Sequence, residues 1–275
     1  MNSYLCVIQH MGILQKGEYT GDVIRQLSID DTIITNTLYS AKKNNPDWHY
    51  HENFHICFLF QGRGKADTKK QSSYSQKNGS IFSYFSGEIH RWVSSEDVSK
   101  SANIEIGQDF LKLYHLDENN IKEALNKNVD SKALILKIQN EMLTETKQNP
   151  IVIHSLLLNL ITKTTKISQK GIPKWVNVLN ELLHDNWNQQ MTLNQIANIV
   201  GVHPITISKF FRKYFKCTLG EYQRKLKIEK SIQLIKNSSM SLTEIAFYCG
   251  FTDQSHFIRN FKSMTGLLPK QFQRL

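Results

Sequence analysis

The hydrophobic spacing changes character part-way along the 275-residue chain. Up to about residue 106 apolar residues come in short runs suited to strands. Asp31 to Tyr39 is rich in β-branched residues, and Phe54 to Phe60 (FHICFLF) is a near-continuous apolar run, as for a strand buried on both faces. Gly62 and Gly64 punctuate its end, and the tight-turn pair Asn78-Gly79 precedes another strand, Ser80 to Phe85. Short strands separated by turns predict a sandwich or barrel. From about residue 107 the period becomes helical. Asp117 can cap a helix carrying Ile121, Ala124 and Leu125. A second, from about Ser131 to Thr144, has Leu134, Ile135, Ile138, Met142 and Leu143 as an apolar stripe. Asn149-Pro150 opens a third, with Leu156, Leu157, Leu160 and Ile161 on one face. Such stripes must pack on the strands or on a second subunit. The polar stretch from Lys163 to Gly171 reads as a linker.

Beyond it the pattern repeats. Leu193, Ile196, Ala197, Val200 and Gly201 recur as Leu242, Ile245, Ala246, Cys249 and Gly250, a constant offset of 49 residues. Each copy reads as a helix-turn-helix. Thr192 or Ser241 caps the first helix, a small alanine permits close crossing, and a glycine suits the left-handed end. The second helix starts near Pro204 in one copy, and near Asp253 with Thr252 as cap in the other. Each buries one stripe (Ile207, Phe210, Phe211; Phe257, Phe261) and leaves a polar face, the form that enters a major groove. A helix from Leu219 to Ile235 joins the two copies and fixes their separation.

The run I-A-x-x-x-G-F-x-D-x-S-x-F-x-R-x-F-K from Ile245 to Lys262, followed by Gly266 and Pro269, resembles the AraC/XylS family of bacterial transcription regulators. The first copy is looser: Lys216 stands where glycine is common, and Lys227 and Ser231 where arginine and alanine are frequent. The resemblance implies base reading by Ile205, Ser208 and Lys209 in the first copy and Gln254, Ser255 and Arg259 in the second. Thr206, Arg212, Thr252 and Lys262 are expected on phosphates. It also implies double-stranded promoter DNA, a small-molecule effector and RNA polymerase as partners, a homodimer built on the middle helices, and activation rather than repression.

Charge fits this expectation. The chain has 34 Lys/Arg and 24 Asp/Glu, and 14 against 6 of these fall from Gly171 onward, so the basic excess sits with the repeats, where phosphate contact requires it. Cys6, Cys57, Cys217 and Cys249 show no paired spacing, and Cys57 and Cys249 suit a core. The N-terminus shows no signal-peptide core, and no apolar run reaches bilayer length; a cytoplasmic protein without membrane contact is expected.

One further spacing sharpens the N-terminal half. His49-x-His51-x3-His55-x6-Gly62, then Gly79-x7-Gly87-x2-His90, resembles the two sequence elements of cupin barrels, with His55 in the usual place of glutamate and Phe85 in that of proline. Even separations put His49, His51 and His55 on one strand face. The expected effector pocket comprises His49, His51, His55, Tyr84, His90 and Trp92. No cofactor is expected and the chain is read as no enzyme. The alternatives are a metal held by His49, His51, His55 and His90, which would make the chain a metal-dependent cupin enzyme fused to a DNA-binding domain, and a DNA-binding protein without effector control. The expected fold is α+β: a cupin-like barrel (1–106), helical packing segment (107–166), linker (167–171), and an all-α DNA-binding domain (172–275) with helix-turn-helix motifs at 192–214 and 241–262.

Overall fold

The computed structural model describes residues 12–40, 48–69, 74–144, 150–162 and 172–275. The linker expected at 167–171, the cap Asn149 and Cys6 lie outside them. The strand-rich half forms two five-stranded sheets. One has the order β1 (Gly12–Leu14), β4 (His49–His51), β9 (His90–Ser94), β6 (Gly64–Thr68), β7 (Tyr74–Gln76). The other runs β2 (Asp22–Ile29), β3 (Thr32–Ser40), β10 (Val98–Ile106), β5 (Phe54–Gln61), β8 (Ile81–Tyr84). The expected barrel is therefore corrected to an open pair of sheets: among the described residues no ladder closes them into a cylinder. Strands β1, β4 and β7 are three residues each, too short to carry pairing around a corner.

The central strands β5 and β10 are buried on both faces, and the two faces differ. Phe54, Ile56, Phe58 and Phe60 alternate with His55, Cys57 and Leu59, and Ala102, Ile104 and Ile106 with Ser101, Asn103 and Glu105. The apolar set joins a core with the helices, while the polar set faces the other sheet. The β2–β3 connection is a two-residue hairpin with Asp30 at φ 41° and Asp31 at φ 55°, so the strand expected to start at Asp31 begins at Thr32.

Among the described residues, helices α1 (Gln108–Leu113), α2 (Glu118–Lys127), α3 (Ser131–Leu143) and α4 (Pro150–Thr162) follow. Asp117 caps α2 by accepting from the Asn119 and Asn120 amides. Helix α3 is buried nearly all round. The DNA-binding half comprises α5 (Lys174–Asp185), α6 (Leu193–Val200), α7 (Pro204–Phe215), α8 (Leu219–Asn237), α9 (Leu242–Tyr248), α10 (Gln254–Thr265) and α11 (Pro269–Arg274). Thr192 with Gln195, Thr218 with Glu221 and Ser241 with Glu244 close capping boxes at α6, α8 and α9.

The two repeats sit in different cores. Ile196, Ala197, Ile207 and Phe211 form a small cluster with Leu179, Leu183, Tyr222 and Leu226. Ile245, Ala246, Phe257 and Phe261 instead belong to the large core that contains the β5 and β10 side chains and the inner faces of α3 and α4. Lys225 pairs with Asp130 at 2.7 Å and Lys132 with Glu229 at 2.7 Å across this junction. At the β7–β8 turn, Asn78 donates to the Lys236 carbonyl (3.0 Å), and its own carbonyl accepts from Asn237 (2.9 Å).

The turns of the repeats set up a direct comparison. Gly201 and Gly250 are both left-handed, at φ 73° and 70°. A Cβ on Gly201 meets nothing within 4 Å, whereas one on Gly250 would lie 2.2 Å from the Asn188 carbonyl oxygen. Buried Lys227 donates to the Gly250 carbonyl at 2.6 Å and fixes this turn on α8. Gly201→Ala is expected to cost about 1–2 kcal/mol, the strain of the conformation alone. Gly250→Ala should cost about 3 kcal/mol or more, because the turn must also move. Denaturant midpoints of the two variants give the order.

Candidate nucleic-acid interface and sensor cavity

Helices α7 and α10 present the polar faces of the two repeats. On α7, Ile207 and Phe211 point into the small core, while Ile205 (67% exposed), Ser208, Lys209 and Arg212 are on the surface and Thr206 is half-buried. Phe210, expected inside, is half-exposed, with Lys209 and Lys213 over its ring. His203 caps α7 by accepting the Ile205 amide at 3.3 Å. On α10 the cap is Asp253, which accepts from the His256 amide at 2.7 Å, so Thr252 lies one residue outside the cap rather than on it. Ser255, Arg259, Lys262 and Thr252 are exposed and Gln254 is half-buried. The Gln254 amide oxygen accepts from the Thr243 hydroxyl at 3.0 Å, which turns its NH2 group away from α9. Lys216, after α7, occupies the left-handed cap at φ 60° that glycine would fill at lower cost.

The second constellation lies between the sheets. His49 and His90 are directly paired across β4 and β9. His49, His51, His55 and His90 are all buried, at 7, 2, 4 and 3% exposure, so none lies in an exposed loop. Ligand atoms of His49, His51 and His90 lie within 4.8 Å of one another. His55 is beside them, its ring 4.4 Å from that of His51. Its Nε2 meets Asn103 Oδ1 at 3.0 Å, and Asn103 donates onward to Thr37 at 2.8 Å. His90 Nδ1 donates to the Glu88 carbonyl at 2.7 Å. Glu105, fully buried, receives the Gly17 amide (3.1 Å) and Asn53 (3.3 Å), and lies 3.5 Å from His51 Nδ1.

Burial, reinforced by the neighbouring histidines, pushes His55 down to about 3 and lowers His90 further, so both rings are neutral near pH 7. Burial alone would raise Glu105; the contacts from His51, His55 and Tyr19 outweigh it and hold the carboxyl at about 2. Tyr84 stacks on His90 with centroids 3.6 Å apart, and Trp92 stacks on Phe82 at 5.8 Å. These rings fill the space the sequence assigns to an effector, leaving a cavity of about 30 Å3. Arg91 turns to Asp67 (3.0 Å) and, with Lys69, to the face of Trp48. The sequence reading missed Tyr19, Asn103 and Glu105. The signal was available in SANIEI (residues 101–106), where polar residues recur at every second position of an otherwise apolar strand.

Residues 196–275 match the family described as "Helix-turn-helix domain". The chain is 22% identical over 241 residues to the Msm operon regulatory protein of Streptococcus mutans, covering 81% of this chain and 84% of that protein. It is 31% identical over 104 residues to the probable transcription factor PqrA of Proteus vulgaris, covering 35% of this chain and 84% of that one. Of some other curated relatives it spans only 24% to 54% of the length. Among solved structures, ToxT from Vibrio cholerae aligns with 89% of this chain and 98% of its own at 16% identity, with a TM-score of 0.37. Among the described residues no helix is long and apolar enough to cross a membrane. The doubled helix-turn-helix and these relatives agree, and the chain belongs to the AraC/XylS family of DNA-binding transcription regulators.

Proposed function

We propose that the chain activates transcription from promoters that it reads with two helices, α7 and α10, under control of a ligand held between the N-terminal sheets. The observation that carries this is the matched pair of faces: in both helices a fully buried stripe leaves the reading positions on the opposite side, exposed except for the half-buried Gln254. Ile205, Ser208, Lys209, Gln254, Ser255 and Arg259 read bases. Ile205 can only touch a thymine methyl, Gln254 suits adenine, and Arg259 suits guanine or a phosphate. Thr206, Arg212, Thr252 and Lys262 hold phosphates and set the register. The working division is a sensor to residue 106, helices to 166, a linker at 167–171 and the DNA-binding domain from 172; the change from strands to helices at Gln108 supports the first boundary. Packing of the α2–α4 stripes into the chain's own core favours an intrachain role for these helices, so a homodimer would use their remaining surface. RNA polymerase is the partner that an activator requires. That named relatives are mostly transcription regulators supports a role without catalysis.

Selection of bound fragments from a sheared genomic pool at near-physiological salt tests the reading. The expected product is an enriched site with two short blocks about one helical turn, ~34 Å, apart. Absence of enrichment for both the full chain and residues 171–275 would sink two-headed reading. On such a site, Arg259→Ala should cost about 1–3 kcal/mol and relax preference at one position. Lys262→Ala should weaken all sequences alike and reduce the salt slope by about 1. Competition binding across single-base variants of the site separates the two outcomes.

A further inference from the structure

We infer that Thr243, on the first turn of α9, is a positioning residue for base reading by the second head: its hydroxyl holds the Gln254 amide in the orientation that suits adenine and opposes guanine. This rests on the two-helix reading above, and it places a determinant of specificity outside the reading helix.

A glutamine amide is nearly symmetric in shape and opposite in chemistry. Oε1 accepts, Nε2 donates, and a half-turn of the last side-chain torsion exchanges them. In one orientation the amide meets adenine with both groups, donating to N7 and accepting from the N6 amino group. Turned over or swinging freely, it offers its NH2 group to guanine O6 or thymine O4 instead. How well a glutamine tells bases apart therefore depends on how firmly its amide is held.

In α10 the amide is held from outside its own helix. Thr243 Oγ1 donates to Gln254 Oε1 at 3.0 Å. A carbonyl oxygen has two lone pairs, so Oε1 still has one to offer an adenine amino group. Set against guanine, the same oxygen would face the O6 acceptor. Both ends of the bond are anchored. Thr243 is the second residue of α9, whose start is closed by the Ser241–Glu244 capping box. Gln254 is the first residue of α10, directly after the cap Asp253, which accepts the His256 amide. The turn between them is fixed by Lys227 on the Gly250 carbonyl (2.6 Å) and by the Phe251 amide on the Ala246 carbonyl (2.9 Å).

Thr243 is exposed and Gln254 half-buried, so water competes for the bond and its net effect on stability is small. Its effect is on order: one long side chain is set before DNA arrives, and that cost is not met on binding. The first repeat has no equivalent. At the offset of 49 residues Thr243 and Gln254 correspond to Asn194 and Ile205, and isoleucine has no amide to orient.

The test begins without DNA, on the nitrogen-labelled full-length chain. The Gln254 side-chain NH2 resonances, identified by their loss in Gln254→Ala, should be more ordered in the wild type than in Thr243→Val, which keeps the shape and removes the hydroxyl. Thr243→Ser should restore the order. Next comes competition binding on a duplex from the selected genomic pool, at the position whose preference Gln254→Ala abolishes. There Thr243→Val should lose about 3–10-fold of the adenine-over-guanine preference, the effect of freeing one side chain. Preferences at other positions and the denaturant midpoint should not change, and Thr243→Ser should read like the wild type. In the Gln254→Ala background, Thr243→Val should have no further effect. Equal amide mobility in wild type and Thr243→Val overturns the orienting bond. An affinity loss spread over all sequences, or one that persists in the Gln254→Ala background, overturns the specificity role and makes Thr243 a phosphate contact. A selection that yields no site sinks the two-helix reading instead, and the amide measurement still decides whether Thr243 orients Gln254.

Discussion

Helix α3 has almost no outward face. Ala133, Leu134, Ile135, Leu136, Ile138 and Met142 are all buried, and so are Ser131 and Gln139. A helix apolar on more than one side must be covered on more than one side. Here the sheets supply one cover, α4 another, and α8 with α10 the remainder. Arg25 on β2 donates to the Met142 carbonyl, and Gly266 at the end of α10 sits against Asn140. The junction between the sensor half and the second reading head is thus a hydrophobic core, not a polar contact between finished domains.

The inner layer between the sheets follows the opposite rule. Each of Thr37, His55, Asn103 and Glu105 is buried, and each has a hydrogen-bond partner in a neighbouring strand or loop. A polar layer of this kind is stable only as a connected network. Its loose ends include the His55 Nδ1, Tyr84 hydroxyl and Trp92 Nε1 atoms, which line the same cavity as His49 and His90. Polar groups buried without partners mark the place where a structure expects something more.

Much of this was legible in the sequence, and the limits are physical. The repeats were readable because capping residues, the small alanine and the turn glycine each have a local mechanism that survives without tertiary context. The His49–His51 pair was readable because even spacing on a strand fixes a face; the expectation that His55 shares that strand face is corrected, since His55 lies on β5 of the other sheet and meets the pair across the space between the sheets. The open sheets were not: whether a ladder closes depends on pairings between strands far apart in sequence, and β1, β4 and β7 are too short to leave a periodic signal. The size of the cavity was equally hidden, since Tyr84 and Trp92 read alike as effector platforms or as filling. The position of the α10 cap shifted by one residue, from Thr252 to Asp253, because both side chains are competent caps. What the sequence concealed most was the docking of α10 on α3, for an apolar stripe does not name its partner.

The division of the interior has a thermodynamic consequence. The large core joins strands, α3, α4 and the second repeat into one body, while α5 to α7 close over a cluster of their own and share α8 with it. Units that share no core open separately. Heating the protein would be expected to release α5–α7 as a distinct foldon, visible as a separate heat-absorption step or a faster-exchanging set of amides. The two heads that meet DNA are therefore unequal: one is part of the sensor's own interior, and the other is carried on a helix and can fluctuate without disturbing it.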